Sequence, residues 1–523
     1  METLFILLVT VCLLLLLKSV VDLLFKSKLQ GRIKKLPPGP LAIPIIGDLR
    51  YVGKSSGDME AILRSLSSKF GPIVTLPIGS RSAVFISSRS LAHKALIQNG
   101  AVFADRPEAR ATGKIISSNQ HNISSAPYGP TWRLLRRNLT AEILHPTRVK
   151  FYSQARKWVL DILLNSLKSD SANGVAVKVV DHFSYAMFCL LVLMCFGDKL
   201  NENEIKQIQA VQRQLLLSFN RFQILDFWPR LTRILLRSRW KEFMDKRRDQ
   251  DEVLFRLIRA RKQAKMDREK LRKGNEDYKD YTLTCYVDTL LELELEEDGG
   301  KRYLTEGEMR SLCSEFIDAG TDTTSTALQW IMANLVKQPA VQARLFDEIN
   351  GVVEAEAEEV REEDLGKIPY LRAVILEGLR RHPPGHFVLP HTVREETELS
   401  GYTVPRKTPV NFMVAEIGWD PEVWEDPMEF KPERFLGGGV EEFDITGSKE
   451  IKMMPFGAGR RICPGYGLAL LHLEYFVANL IWNFEWKAVS GDGVDLAEKQ
   501  EFTIVMKHPL RAHISPRRTS ADD

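Results

Sequence analysis

The stretch FGAGRRICPG, Phe456 to Gly465, sets a lone cysteine among glycines and arginines, with a proline after it and an apolar run beyond. Gly457, Gly459 and Gly465 permit backbone conformations and close approaches that other residues resist. Pro464 suits the first turn of a helix, which puts Cys463 just before a helix N-terminus. Backbone N–H groups and the helix dipole there favour a thiolate. Arg461 adds a positive charge able to pair with an acidic group of a bound cofactor. These parts suit a loop that holds a metal by one thiolate. Taken alone, they also suit a buried cysteine in a Gly-rich turn.

The rest of the chain narrows the choice. At 523 residues, 44% hydrophobic and 27% charged, it can bury a sizeable core. A net charge of +4 is too balanced for a nucleic-acid binder. Six cysteines are scattered without a CxxC pair, which argues against a disulfide scaffold and for a reducing compartment. No second thiol or histidine stands at ligand spacing near Cys463, which argues against zinc.

The N-terminus is apolar from Leu4 to Leu17 and continues through Lys18 and Asp22, an i,i+4 pair, to Phe25. As a helix, Leu4 to Phe25 would span ~33 Å, enough for a bilayer. Glu2 stands where a signal peptide carries a base, and no small-residue cleavage site follows, so a retained anchor is expected. Lys26, Lys28, Arg32, Lys34 and Lys35 place that side in the cytosol. The expected organisation is an anchor over 1–25, a basic and Pro-rich linker over 26–40, and one body over 41–523. LPPGP, Leu36 to Pro40, reads as a stiff spacer. The body would face the cytosol on the endoplasmic reticulum membrane, where the sequons at Asn122 and Asn138 stay unglycosylated.

Beyond the spacer, Ile73 to Ile78 and Ala83 to Ser87 read as strands. Helical patterns dominate from Ser88 to Lys337 and resume after Pro339 to Arg381. Arg259 to Lys273 is a basic, solvated helix or loop. Short strand-like pieces, the cysteine loop, a helix over Leu468 to Trp482 and further β-like pieces complete the chain. The fold class is mainly α with a minor β part.

The full spacing Phe456-x-x-Gly459-x-Arg461-x-Cys463-x-Gly465 is far more specific than its parts. It resembles the haem-ligand signature of the cytochrome P-450 family. The chain is similar to that family along essentially its whole length, and AGTDTT, PERF and the cysteine loop resemble plant microsomal, A-type members. The resemblance implies haem b, iron protoporphyrin IX, with Cys463 as axial thiolate and Phe456 packed near the sulfur. Thiolate ligation favours O–O cleavage.

Three further motifs bear on the resemblance. FIDAGTDTTS, Phe316 to Ser325, lies inside a helical run that opens with a capping box, Thr305 and Glu308, and ends before Pro339. Gly320 to Thr324 are poor helix formers, so something other than propensity selects them. The residues alone fit either a polar helix face or a proton-handling site. The resemblance implies that Ala319 and Gly320 leave room for oxygen, while Asp322 and Thr323 deliver protons. EGLR puts Glu377 and Arg380 at i,i+3, and the resemblance joins Arg434 of PERF to them in a buried structural network. YGPTWRLLRR puts Trp132 and Arg136 on one face, which could bind a carboxylate. The resemblance assigns them, with Arg461 and His391, to the haem propionates.

The implied activity is a monooxygenase acting on a hydrophobic or amphipathic small organic molecule, with O2 as co-substrate. NADPH-cytochrome reductase would supply electrons, membrane lipid would hold the anchor, and no nucleic acid is involved. Pocket residues by resemblance fall in Ala109 to Ile123, Leu216 to Phe227, Phe316 to Ala319, His386 to Leu389 and Phe502 to Val505. Two rivals are a reductase-independent isomerase or dehydratase of peroxides, which would depart from the acid–alcohol pair, and a non-catalytic haem sensor.

Overall fold

A computed structural model describes residue 10 and residues 36–40, 56–78, 81–172, 174–274, 283–297, 300–437, 443–489 and 493–517. Apart from Thr10, the expected anchor and the basic cluster after it lie outside the described residues. The chain divides into two compact units. One comprises residues up to Pro107 with Phe387–Ile417 and Thr446–Arg461; the other comprises Glu108–His386, Gly418–Ile445 and the chain from Ile462 onward.

In the first unit, β1 (Ile73–Ile78), β2 (Arg81–Ile86), β3 (His391–Thr392) and β4 (Pro409–Phe412) form one sheet in the order β1-β2-β4-β3. The β1–β2 pair is antiparallel with Ile73 opposite Ile86, while β2 runs parallel to β4 with Val84 opposite Val410. Alternation sends Val84, Ile86, Val410 and Phe412 to a core shared with Leu96, Phe103, Met454 and Ala458. The cysteine loop therefore departs from a buried platform. The expected second strand begins two residues earlier than its β-branched run, at Arg81. LPPGP is held on β1: the Pro38 carbonyl accepts from the Thr75 N–H at 2.7 Å and the Pro37 carbonyl from the Thr75 hydroxyl at 2.9 Å. The segment read as a spacer is thus tied to the body.

The second unit is helical. Its elements near the candidate site are α1 (Pro130–Asn138), α2 (Val179–Phe196), α3 (Glu202–Phe222), α4 (Arg237–Gly274), α5 (Glu306–Lys337), α6 (Pro369–Arg381) and α7 (Tyr466–Asn483). The expected capping box opens α5: the Glu308 N–H reaches the Thr305 hydroxyl at 3.2 Å, and the Thr305 N–H reaches the Glu308 carboxylate at 2.8 Å. With 32 residues, α5 is about 48 Å long and passes unbroken through Gly320 to Thr324. Among the described residues, α2 is the one helix long and apolar enough to cross a membrane, and 78% of it is buried inside the protein. It is a core helix, packed on α5. Arg259 to Lys273 falls in α4, which settles that stretch as helix.

One helix boundary differs from expectation. Gly465, with φ −94° and ψ 13°, is the N-cap of α7, so Pro464 stands before the helix instead of beginning it. After α7 come β5 (Phe484–Ala488), a hairpin of β6 (Glu498–Gln500) and β7 (Ile504–Met506), and β8 (Arg511–Pro516), which pairs with β5.

The Glu377 network forms as the resemblance implied. Glu377 and Arg380 are fully buried on α6, and their side chains meet at 2.7 and 2.8 Å. The Arg434 guanidinium reaches Glu377 at 3.3 Å, and the Lys431 N–H donates to the same carboxylate at 2.8 Å. Arg380 also donates to the carbonyls of Gly418, Pro427 and Glu429. One arginine thus satisfies three loop carbonyls and a carboxylate at once.

Candidate active site

In the second unit, Cys463 lies three residues before the start of α7, partly buried. Burial pushes its thiol up, against a hydrogen bond from Gly465 and the positive charge of Arg136, which pull it down. Burial wins, so the protein alone keeps a thiol, contrary to the thiolate that a helix N-terminus suggests. A bound cation inverts this balance, because a coordinating thiol loses its proton outright. Among the described residues, no group of three His, Cys, Asp or Glu side chains converges to hold a metal ion. A metal on Cys463 must therefore bring its other ligands with it.

Arg136 comes from α1. Burial lowers its pKa, and a thiolate at Cys463 would oppose that shift. Among the described residues no carboxylate pairs with it. Its guanidinium sits 6.0 Å from the ring of Trp132, one turn earlier on the helix and buried. A half-buried cation lacking an anion, on the same unit as a thiol that needs a cation, suits a metal group bearing carboxylates. Iron protoporphyrin IX has that composition, so the residues fit it.

The α5 motif gives a second set. The Thr323 hydroxyl donates to the Ala319 carbonyl at 2.6 Å, the back-bond of a mid-helix threonine, and keeps its lone pairs for another donor. The Asp322 carboxylate accepts from the Thr503 hydroxyl at 2.8 Å and lies 3.9 Å from Arg213 of α3. Burial raises the Asp322 pKa, while Thr503 and Arg213 oppose the rise. One turn earlier, Asp318 accepts from Ser314 at 3.2 Å and Gln212 at 3.3 Å, and burial pushes its carboxyl up to about 8. Gly320 serves packing: a Cβ there would lie 2.7 Å from Cδ1 of Leu191 on α2. Glu315 clamps the 122–124 loop, accepting from the N–H groups of Ile123 and Ser124 at 2.8 and 2.6 Å.

In the first unit, Gly457 and Gly459 have φ of +68° and +69°, and a Cβ on Gly459 would sit 2.0 Å from the Leu96 carbonyl oxygen. Only glycine fits there. Phe456, at the head of this loop, is partly buried. Arg461 is buried and donates to the Ala104 carbonyl at 2.7 Å. His391 donates from Nδ1 to the Phe103 carbonyl at 2.7 Å; burial, with Arg106 and Arg461 nearby, pushes its pKa down to about 3. The ring is neutral, and its Nε2 is left as an acceptor. A carboxylate at Nε2 would be met only by a second proton, so His391 is a poorer anion donor than Arg136 or Arg461.

The partners of the acid–alcohol pair escaped sequence reasoning. Thr503 fell within a stretch expected to line the pocket, but nothing in the sequence joins it to Asp322, 181 residues away. Arg213 and Gln212 carry no motif.

A sequence profile described as Cytochrome P450 matches residues 37–515. The chain belongs to the cytochrome P450 family. It is 52% identical over 496 residues to Cytochrome P450 89A9 of Arabidopsis thaliana, covering 92% of this chain and 94% of that one. It is 32% identical over 502 residues to 5-epiaristolochene 1,3-dihydroxylase of Nicotiana tabacum, covering 94% and 95%. It is 31% identical over 507 residues to isoflavone 2'-hydroxylase of Medicago truncatula, covering 95% of each. Among solved structures, a zebra fish cytochrome P450 with progesterone has the same fold, at TM-score 0.73 and 23% identity over 88% of this chain and 99% of that one. This P450 resembles plant A-type members, is a monooxygenase, and has haem b as its cofactor.

Proposed function

We propose that this P450 inserts one atom of O2 into a hydrophobic or amphipathic plant metabolite, using electrons passed from NADPH by a flavoprotein reductase. The observation that carries this reading is the acid–alcohol pair on α5. Thr323 donates its hydroxyl to the Ala319 carbonyl, and the partly buried Asp322, next in sequence, is held by Thr503. Bound haem supplies the iron at which oxygen is activated, with a thiolate ligand favouring O–O cleavage.

The chain's own groups then have separate tasks. Cys463 would ligate the iron. Arg136 and Trp132 would hold a propionate, and the family resemblance gives Arg461 the same task, Phe456 the tuning of the sulfur, and His391 a lesser share of propionate binding. Ala319 leaves space on the oxygen side, and the missing side chain of Gly320 brings α2 against α5. Asp322 takes protons from the α3 side, where Arg213 lies, and Thr323 presents them to the oxygen. General acid work of this kind is worth about 10²–10⁴-fold in rate.

Association with the endoplasmic reticulum membrane is part of the same reading, with the catalytic body in the cytosol. Its supports are the apolar Leu4 to Phe25 run followed by basic residues and a second apolar surface. There Trp228 and Ile234 are each 76% exposed, beside exposed Phe227, Leu231 and Leu235.

The test begins with purified protein screened against plant metabolite fractions for the spin-state shift of the haem. A shifting compound is then turned over with and without reductase and NADPH. Oxygenated product that requires both is the expected result. Turnover without reductase would refute the proposal in favour of peroxide isomerisation or dehydration, and no compound-dependent shift would favour a sensor. Thr323→Val keeps the shape and removes the donor, so it should bind haem normally, consume NADPH and release hydrogen peroxide in place of product.

A further inference from the structure

Asp322 is held by a residue outside its own helix. We propose that Thr503, between β6 and β7, is a positioning residue whose hydroxyl fixes the Asp322 carboxylate and so ties proton delivery to the C-terminal hairpin. This rests on the reading of Asp322 as a proton relay.

The hydroxyls form a directed chain. Thr503 gives its proton to Asp322 at 2.8 Å, so its 2.9 Å contact with Thr326 must be one in which Thr326 donates. Two hydroxyls in series polarise one another toward the carboxylate. Both are 3% exposed, so water does not compete for them. The other groups facing Asp322 are looser. Arg213 of α3 is 3.9 Å away with its side chain 47% exposed, and Glu501 of the hairpin and Asp318 on α5 act through charge alone. Arg247 of α4 acts on Asp318.

The hairpin that carries Thr503 is itself fixed. The Trp330 indole donates to the Ile504 carbonyl at 2.7 Å, and the Ile504 N–H donates to the Pro384 carbonyl at 2.9 Å. Glu498 meets His382 at 3.3 Å and His386 at 3.5 Å. The His382 ring stacks on Trp330 at 4.1 Å. The hydroxyl is thus delivered to α5 by a fastened element. Next to it, Phe502 is 49% exposed, so the loop that orients the acid also presents an aromatic side chain outward.

The experiment uses haem-loaded full-length wild type, Asp322→Asn, Thr503→Val and Thr503→Ser, each checked by the reduced carbon monoxide spectrum. Infrared spectra across pH follow the carboxyl band that Asp322→Asn removes. Thr503→Val should move its midpoint up by about one to two pH units, because a hydrogen bond to the charged form is lost. Thr503→Ser should restore it. With reductase and NADPH, peroxide released per NADPH should rise in Thr503→Val as it does in Asp322→Asn, and return in Thr503→Ser. If Thr503→Val loads haem poorly, Thr503→Cys, a weak donor of similar size, should still give a midpoint above that of Thr503→Ser. An unmoved midpoint in the Val or Cys variant overturns the inference. If Asp322→Asn itself removes no titrating band and leaves the peroxide ratio unchanged, the relay reading fails and the inference falls with it.

Discussion

Replacing Glu377 by Gln keeps the shape of α6 and removes one charge. Arg380, fully buried, would then face a neutral amide. Its three carbonyl partners would remain, but the charge would have no counter-ion beyond them. Arg434 and the Lys431 N–H would lose the same carboxylate. Breaking a buried pair from one side costs about 3–5 kcal/mol. The loss should fall first on the 418–435 segment, which Arg380 and Glu377 hold from below. Local opening of that size raises amide exchange by roughly 10²- to 4 × 10³-fold, since 1.4 kcal/mol is a factor of ten. The assay is hydrogen exchange by mass spectrometry on peptides spanning 418–435, with β1 and β2 peptides as internal reference. Arg380→Met should raise exchange of the same peptides, because it strips the Gly418, Pro427 and Glu429 carbonyls of their donor. Protection within threefold of wild type in Glu377→Gln would refute the reasoning.

Cys463→Ala should lose the red-shifted band of the reduced carbon monoxide complex; a variant that keeps it would show another ligand. Gly459→Ala should abolish haem loading, because its Cβ meets the Leu96 carbonyl oxygen at 2.0 Å. Gly457→Ala, whose nearest neighbour is Val388 at 3.8 Å, should lose only the ~1–2 kcal/mol of left-handed strain and still load haem. His472, buried in α7, has its pKa pushed down to about 3 by burial, with Arg156 adding to the fall. The unfolded ring takes a proton near pH 6.5, so its contribution to stability is present above that pH and is lost as pH falls toward 3. Guanidinium midpoints at pH 7.5, 6 and 5 should therefore fall less steeply in His472→Met than in wild type, and equal slopes would count against it.

Local chemistry was legible in the sequence where partners are near in the chain or fixed by a motif. Thr305 and Glu308 stand three apart and formed the expected capping box. Glu377, Arg380 and Arg434 met as the family spacing implied, although Arg434 is 57 residues from its carboxylate. Contacts set by tertiary packing were not legible. Nothing in the sequence joins Gly320 to Leu191 of α2, whose Cδ1 lies 2.7 Å from where a Cβ on Gly320 would stand. The sequence leaves the charge of His391 open, and burial, which no motif reports, makes it neutral. The thiolate tendency of Cys463 was read from a helix end; in the protein alone desolvation, which no sequence pattern reports, opposes it.

The first unit is assembled from three separated stretches of chain, and this sets a timetable for synthesis. Its β1 and β2 leave the ribosome early, but β3, β4 and the Phe456 to Arg461 loop follow only after roughly 300–370 further residues. At about 5–20 residues per second that is a wait on the order of 20–70 s. Throughout it, Ile73, Val84 and Ile86 have no Val410, Phe412 or Met454 to cover them, and the β2 edge has no β4 to pair with. The nascent chain therefore carries an open, apolar strand edge for most of its translation, which makes this hairpin the natural place for a holding chaperone to act.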